Sequence, residues 1–236
     1  MQILIDIGLV ILGYLLGSIP SGLIIVKLKT GKDIRQVESG RTGGTNAMRA
    51  AGFWAGLLTA LLDILKGALS VWLAQWISPN GHWIHILAPI AAILGHNYSI
   101  FLPDYDEKGR FKRFRGGAGG APALGGAIGL WAPSVLIVLP LGALVFFTLG
   151  YASITTLSVA FFAILVFAIR MLVGAPDANW TDVLYGVIAG ALLTWALRPN
   201  IMKLLSGTER VVSVSLHGRN KANKEKRDAE DAFKDV

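Results

Sequence analysis

Three separated stretches of this chain set glycine beside a cation and small hydroxyl or amide side chains. The first is Ser39-Gly40-Arg41-Thr42-Gly43-Gly44-Thr45-Asn46. Its glycines, Gly40, Gly43 and Gly44, let the backbone approach a ligand and turn N–H groups toward it. Ser39, Thr45 and Asn46 add side-chain donors, and Arg41 adds a planar charged fork that matches phosphate. A helix starting near Asn46 would direct its N-terminal field at the same anion. The chemistry written into this stretch is recognition of a phosphorylated ligand. Its plainer reading is a glycine-rich turn with an arginine on the cytoplasmic side.

The second stretch opens as Gly95-His96-Asn97-Tyr98-Ser99-Ile100-Phe101 and resumes as Phe114-Arg115-Gly116-Gly117-Ala118-Gly119-Gly120. Arg115, Gly116 and Gly117 form either a second anion cradle or a seam of small residues for close helix packing. His96 either moves a proton and binds phosphate, or is a hydrogen-bonded structural residue. The third stretch, Leu197–Glu209, carries Arg198, Asn200 and Lys203, and its spacing predicts a short amphipathic helix on the membrane surface. Asp63 and Lys66 lie three apart within an apolar run, which predicts an interior charged pair on one helix face. His82, His85, His96 and His217 make no convincing ligand set, so no metal and no cofactor is expected. The absence of cysteine excludes disulfides and thiolate metal sites.

The elements that must position these residues are membrane spans. Hydrophobic residues make up 53% of the chain and charged residues 16%, against roughly 25% charged in a soluble domain. Apolar runs at Ile3–Leu28, Phe53–Ile77, Trp83–Phe101, Gly119–Trp131, Pro133–Leu149, Tyr151–Val173 and Asp182–Leu197 predict an all-α integral membrane bundle of about seven helices. Gly119–Trp131 is short enough to be either a tilted span or a re-entrant piece. Lysine and arginine collect in 27–49, 108–115 and 198–234, whereas the connections Ser78–His82 and Gly174–Thr181 hold none. With seven spans these basic regions share one side, which the positive-inside rule makes cytoplasmic. The N-terminus is then outside and the C-terminus cytoplasmic. The net charge of +7 is thereby accounted for by membrane topology, and no nucleic-acid partner is expected. Residues 1–209 read as the membrane domain and 210–236 as a charged cytoplasmic tail.

Taken in order, these stretches resemble the bacterial acyl-phosphate:glycerol-3-phosphate acyltransferase family (the PlsY type). The resemblance lies in Gly17–Pro20, Ser39–Asn46, Asp63–Gly67, Gly95–Phe101, Arg115–Gly119 and Leu197–Glu209. It implies a multi-pass enzyme of the bacterial plasma (inner) membrane, acting in phospholipid synthesis. Such an enzyme moves a fatty acyl group from acyl phosphate to the 1-hydroxyl of glycerol 3-phosphate, giving lysophosphatidic acid, with the acyl chain in a lipid-side groove. The implied site is Arg41 and His96 in catalysis, with a substrate phosphate oxygen as the alternative to His96 as proton acceptor. Ser39, Gly40, Gly43, Gly44, Thr45, Asn46, Arg115, Gly116, Gly117, Arg198, Asn200 and Lys203 would hold the substrates. The chain departs from the family pattern at Ala118, where a lysine is usual, at Pro122, where a threonine is usual, and at Leu197, where a histidine is usual. Lys112 and Arg113 are nearby cations that would restore the missing charge if they reached the site. The connection Leu102–Arg113 is also longer and more charged than the family's. The alternative reading from these departures is a non-catalytic binder or transporter of a phosphorylated metabolite or lipid.

Overall fold

The computed structural model describes residues 1–234, with side chains at 225, 226 and 228–234 left aside. The charged tail read from the sequence therefore extends two residues beyond the described ones. The chain is mostly helical, and five stretches are long and apolar enough to cross a membrane: Gln2–Thr30, Phe53–Ile77, Ala132–Leu149, Ala152–Leu172 and Trp180–Leu205. Two further apolar helices, His82–Asn97 and Gly120–Leu130, are shorter, at 16 and 11 residues.

The first predicted span is two helices, α1 (Gln2–Ser18) and α2 (Ser21–Thr30). The break falls at Ile19-Pro20, because proline brings no N–H and pushes the residue before it out of helical geometry; Ile19 has ψ 118°. Carbonyls freed there accept hydrogen bonds from side chains elsewhere in the bundle. Ser99 Oγ donates to Ser18 O at 2.5 Å, and Lys66 Nζ donates to Ile19 O at 3.1 Å. A short amphipathic helix, α3 (Gly44–Ala51), precedes α4 (Phe53–Ile77), and α5 (His82–Asn97) follows. The long connection after α5 folds into an antiparallel hairpin of β1 (Pro103–Tyr105) and β2 (Phe111–Phe114). The bundle is completed by α6 (Gly120–Leu130), α7 (Val135–Leu149), α8 (Ala152–Leu172) and α9 (Trp180–Leu205). A charged helix, α10 (Leu216–Lys234), ends the described chain.

One prediction needs correction. The surface helix expected around Asn200–Leu205 is the continuation of α9, which runs through Pro199 without stopping. The ring of Pro199 sits on the outer side of the helix, where the residue is exposed. Packing between spans depends on small residues, as expected where lipid supplies no hydrophobic drive for helix association. Gly17 lies against the backbone of Ala92, and Gly125 against the backbone of Ile64, so closely that a methyl group at either would overlap a carbonyl oxygen. The core proper is Ile93, Leu124, Phe167, Tyr185 and Leu193, from α5, α6, α8 and α9. Tyr185 Oη donates to Ala123 O at 2.7 Å and so leaves no unpaired hydroxyl at that depth.

Candidate active site

The loop 39–46 (loop one), the glycine loop after the hairpin and the end of α9 meet at one end of the bundle, and Arg41 is the residue that joins them. Its guanidinium donates to Gly117 O at 3.1 Å, Ala196 O at 2.6 Å and Asn200 Oδ1 at 3.2 Å. None of these acceptors carries a formal charge. Burial also holds the Arg41 pKa below the ordinary arginine value, a sign of a cation stripped of water. Asn200 is fixed in turn by Glu209, whose Oε1 accepts from Asn200 Nδ2 at 3.2 Å. The other carboxylate oxygen of Glu209 accepts from Ser153 Oγ at 2.5 Å, which ties α9 to the start of α8.

Loop one holds its shape through Asn46. Its side-chain Nδ2 donates to the carbonyls of Ile34, Val37 and Arg41 at 3.2, 2.9 and 2.8 Å. Those donors, read from the sequence as ligand donors, are occupied by the loop's own backbone. The helix expected near Asn46 begins at Gly44, and its first turn faces a cavity of about 480 Å³. Ser39, Arg41, Gly43, Gly44, Thr45, Asn46, His96 and Asn200 all line that cavity at its polar end. Its apolar end lies between α4 and α7, lined by Leu57 and Ile64 on one side and Leu139 and Phe146 on the other.

Behind the polar end sits the interior charged pair. Lys66 Nζ is 2.9 Å from Asp63 Oδ1, and both side chains are buried. Lys66 spends another donor on Ile19 O, so the pair braces the α1–α2 break, while Asp63 itself reaches the cavity wall. His96 Nδ1 stands 3.6 Å from Asp63 Oδ1, too far for a hydrogen bond. Its Nε2 packs against Gly117, where any side chain would collide with the imidazole. Gly117 N in turn donates to His96 O at 2.8 Å, and Thr42 N donates to Gly116 O at 3.2 Å. The two glycine loops are thus stitched to each other and to α5.

Other expected residues lie elsewhere. Arg115, Gly116, Gly117, Gly40, Arg198 and Lys203 are outside the cavity lining. Arg115 turns away because Asp104 Oδ2 accepts from its Nε at 2.9 Å and Arg35 O accepts from Nη1 at 3.2 Å. That contact holds the Asp104 carboxyl below the usual carboxylate range. Gly116 and Gly117 serve as backbone seam, as described. Gly40 takes a positive φ of 65° against Arg35 O. Arg198 stacks on Trp195, 3.3 Å from its ring centroid, and Lys203 is exposed in the last turn of α9. Lys112 and Arg113, the nearby cations that would restore the charge missing at Ala118 if they reached the site, are exposed on the hairpin, with Arg113 beside Asp104 at 3.5 Å. Ala118 and Leu197 do line the cavity, so two of the three departures fall on its wall, whereas the backbone of Pro122 packs against Gly67.

Arg49 is the cation that the sequence reading passed over. It lines the cavity, four residues after Thr45 and therefore on the same face of α3. Burial lowers its pKa, and Glu209 works in the opposite direction. The signal was present in the strong amphipathicity of Gly44–Ala51, which sets Thr45 and Arg49 in one row.

The family model described as glycerol-3-phosphate acyltransferase matches residues 7–207. A glycerol-3-phosphate acyltransferase of Rubrobacter xylanophilus is 38% identical over 207 residues, covering 88% of this chain and 95% of the relative. One from Geotalea daltonii is 37% identical over 206 residues, covering 87% and 97%. Crystal structures of PlsY, an integral membrane glycerol 3-phosphate acyltransferase, superpose on the fold. The glycerol 3-phosphate form gives a TM-score of 0.72 at 31% identity, covering 88% of this chain and 95% of the other. The lysophosphatidic acid form gives 0.71 at 30%, covering 89% and 96%.

Proposed function

The chain belongs to the glycerol-3-phosphate acyltransferase family, and on that premise we propose that it transfers a fatty acyl group from acyl phosphate to the 1-hydroxyl of glycerol 3-phosphate at the cavity beside Arg41. The observation that carries this reading is the cavity's two-ended character. Cations and glycine backbone occupy one end, and aliphatic and aromatic side chains of α4 and α7 occupy the other. A ligand matching it has an anionic head and a hydrocarbon tail, which describes both an acyl phosphate and a lysophosphatidic acid. The gap between α4 and α7 gives the tail a path to the bilayer.

In the reaction, the glycerol hydroxyl oxygen attacks the acyl carbonyl and a new ester C–O bond forms. The bond from that carbon to the phosphate oxygen breaks, and inorganic phosphate departs. Arg41 and Arg49 stand where negative charge gathers on carbonyl and phosphate oxygens. Preorganised cations in a dry site are suited to that task. Ser39, Thr45 and the amides at the start of α3 orient the phosphate groups. The proton of the attacking hydroxyl goes to the departing phosphate, because both ring nitrogens of His96 face protein atoms, Asp63 on one side and Gly117 on the other. Asn200 and Glu209 act one step removed, by holding Arg41 in place. Residues 1–209 form the acyltransferase domain and 210–236 a cytoplasmic tail. The protein resides in the bacterial plasma membrane, with the site on the cytoplasmic face, where the basic loops lie.

The experiment is turnover of purified protein with acyl phosphate and glycerol 3-phosphate, with an acyl thioester as the competing donor. Lysophosphatidic acid and phosphate are expected from acyl phosphate alone. Arg41→Ala should lower kcat/KM by about 10²–10³-fold, the usual loss for one donor to a developing oxyanion. Arg41→Lys should recover little of it, since an ammonium cannot span Gly117 O, Ala196 O and Asn200 together. Binding of glycerol 3-phosphate without turnover would favour a non-catalytic binder instead.

A further inference from the structure

The connection between α5 and α6 carries a structure that the reaction does not use. Residues 103–115 hold five cations against three carboxylates. The hairpin also exposes an aromatic row. Tyr105 and Phe111 are 58% and 56% exposed, with ring centroids 6.3 Å apart, and Phe114 lies 4.9 Å from Phe111. A bulge between Asp104 and Tyr105 breaks strict alternation and brings these rings together. Cross-strand aromatic contact adds a little to the hairpin, but rings left this exposed on a basic loop mark a surface that is covered in use.

Its place in the fold says by what. The root of the hairpin is fixed at the end of α5: Ser99 N donates to Arg115 O and Arg115 N to Leu102 O, each at 2.9 Å. Ile100 and Phe101, just before it, are exposed and apolar, so the aromatic row continues an exposed apolar surface at this end of the bundle. At roughly 3.3 Å per residue, Tyr105 and Phe111 lie about 7–10 Å along the strands from the first pair, Pro103 and Phe114. A headgroup layer is roughly 5–8 Å deep on each side of the hydrocarbon. Aromatic rings favour that layer, and cations beside them meet lipid phosphates there. Arg110 pairs with Asp106 and Arg113 with Asp104, while among the described residues Lys108 and Lys112 make no ion pair.

From this placement we infer that the 103–114 hairpin is an interfacial anchor, seating Tyr105, Phe111 and Phe114 in the headgroup layer with Lys108 and Lys112 on anionic phospholipid. The anchor is joined to the cavity. Arg115 at its base leads directly into Gly116 and Gly117, which hydrogen-bond to Thr42 and His96. A hairpin seated on anionic lipid therefore fixes the loop that backs onto the polar end of the cavity.

The test uses the full chain in nanodiscs of neutral or anionic lipid. Since the protein has no cysteine, Phe111→Cys gives a single site for an environment-sensitive fluorophore. Emission should shift to the blue in anionic discs and be quenched more by a spin label at the headgroup than by one near the acyl terminus. Adding Lys108→Gln and Lys112→Gln should remove most of the difference between the two lipids. Because the fluorophore is itself apolar, tryptic cleavage after Lys108 and Lys112 of the unlabelled protein is followed in parallel, and should slow several-fold in anionic discs. Emission typical of water in both lipids, or equal cleavage rates, overturns the inference. So does a blue shift that appears only when a soluble acidic protein is added.

Discussion

Arg41 keeps its charge available to a ligand because every protein group that holds it is neutral: two carbonyls and the amide oxygen of Asn200. Arg115 shows the opposite fate, its fork closed on Asp104. The two arginines look equivalent in sequence, each beside glycines, and only the fold separates them. His96 tests the proposed proton path. His96→Gln should lower turnover through loss of packing against Gly117, yet leave the pH–rate profile unchanged in shape, since the titrating group is the substrate's phosphate. A limb that disappears from the profile would return the base to His96. Ser39, Arg41, Thr45 and the Asp63–Lys66 pair were legible from residue type and spacing alone. Arg198 and Lys203 lie outside the cavity lining: Arg198 is aimed by stacking on Trp195, which composition does not encode, and Lys203 is exposed in the last turn of α9.

Among the elements, α4 and α6 are set by contact of backbone on backbone. Gly125 of α6 has room for no side chain against the carbonyl of Ile64. Gly125→Leu should therefore separate the helices and widen the polar end, with a loss of roughly 1–3 kcal/mol of stability in line with core overpacking. A lower Tm in detergent, together with a raised KM for glycerol 3-phosphate, would show both effects; an unchanged Tm would mean that the contact is looser than drawn. Helix positions were readable from hydropathy, since long apolar runs have few alternatives in lipid. The break at Ile19-Pro20 and the uninterrupted α9 were harder. Each contains a proline, and whether proline ends a helix depends on which neighbours donate to the freed carbonyls. Lys66 and Ser99 do so at the first site. At the second, Pro199 is carried within α9 on its exposed side.

For the molecule as a whole, topology is the claim most open to direct measurement. Single cysteines introduced at Asn80 and at Lys108 should label from opposite sides of sealed inverted and right-side-out vesicles, with Lys108→Cys reacting on the cytoplasmic side. Labelling of both from one side would remove the cytoplasmic site altogether. The side opening between α4 and α7 has a further consequence for how such a protein is assayed. A donor that arrives through the gap is sampled from the plane of the bilayer, so its effective concentration is its mole fraction among the surrounding lipids or detergent. Diluting the donor with inert amphiphile at fixed bulk concentration should slow the reaction in proportion, while the same manoeuvre leaves the dependence on glycerol 3-phosphate untouched. Rates that follow bulk donor concentration alone would mean that the gap is closed to lipid.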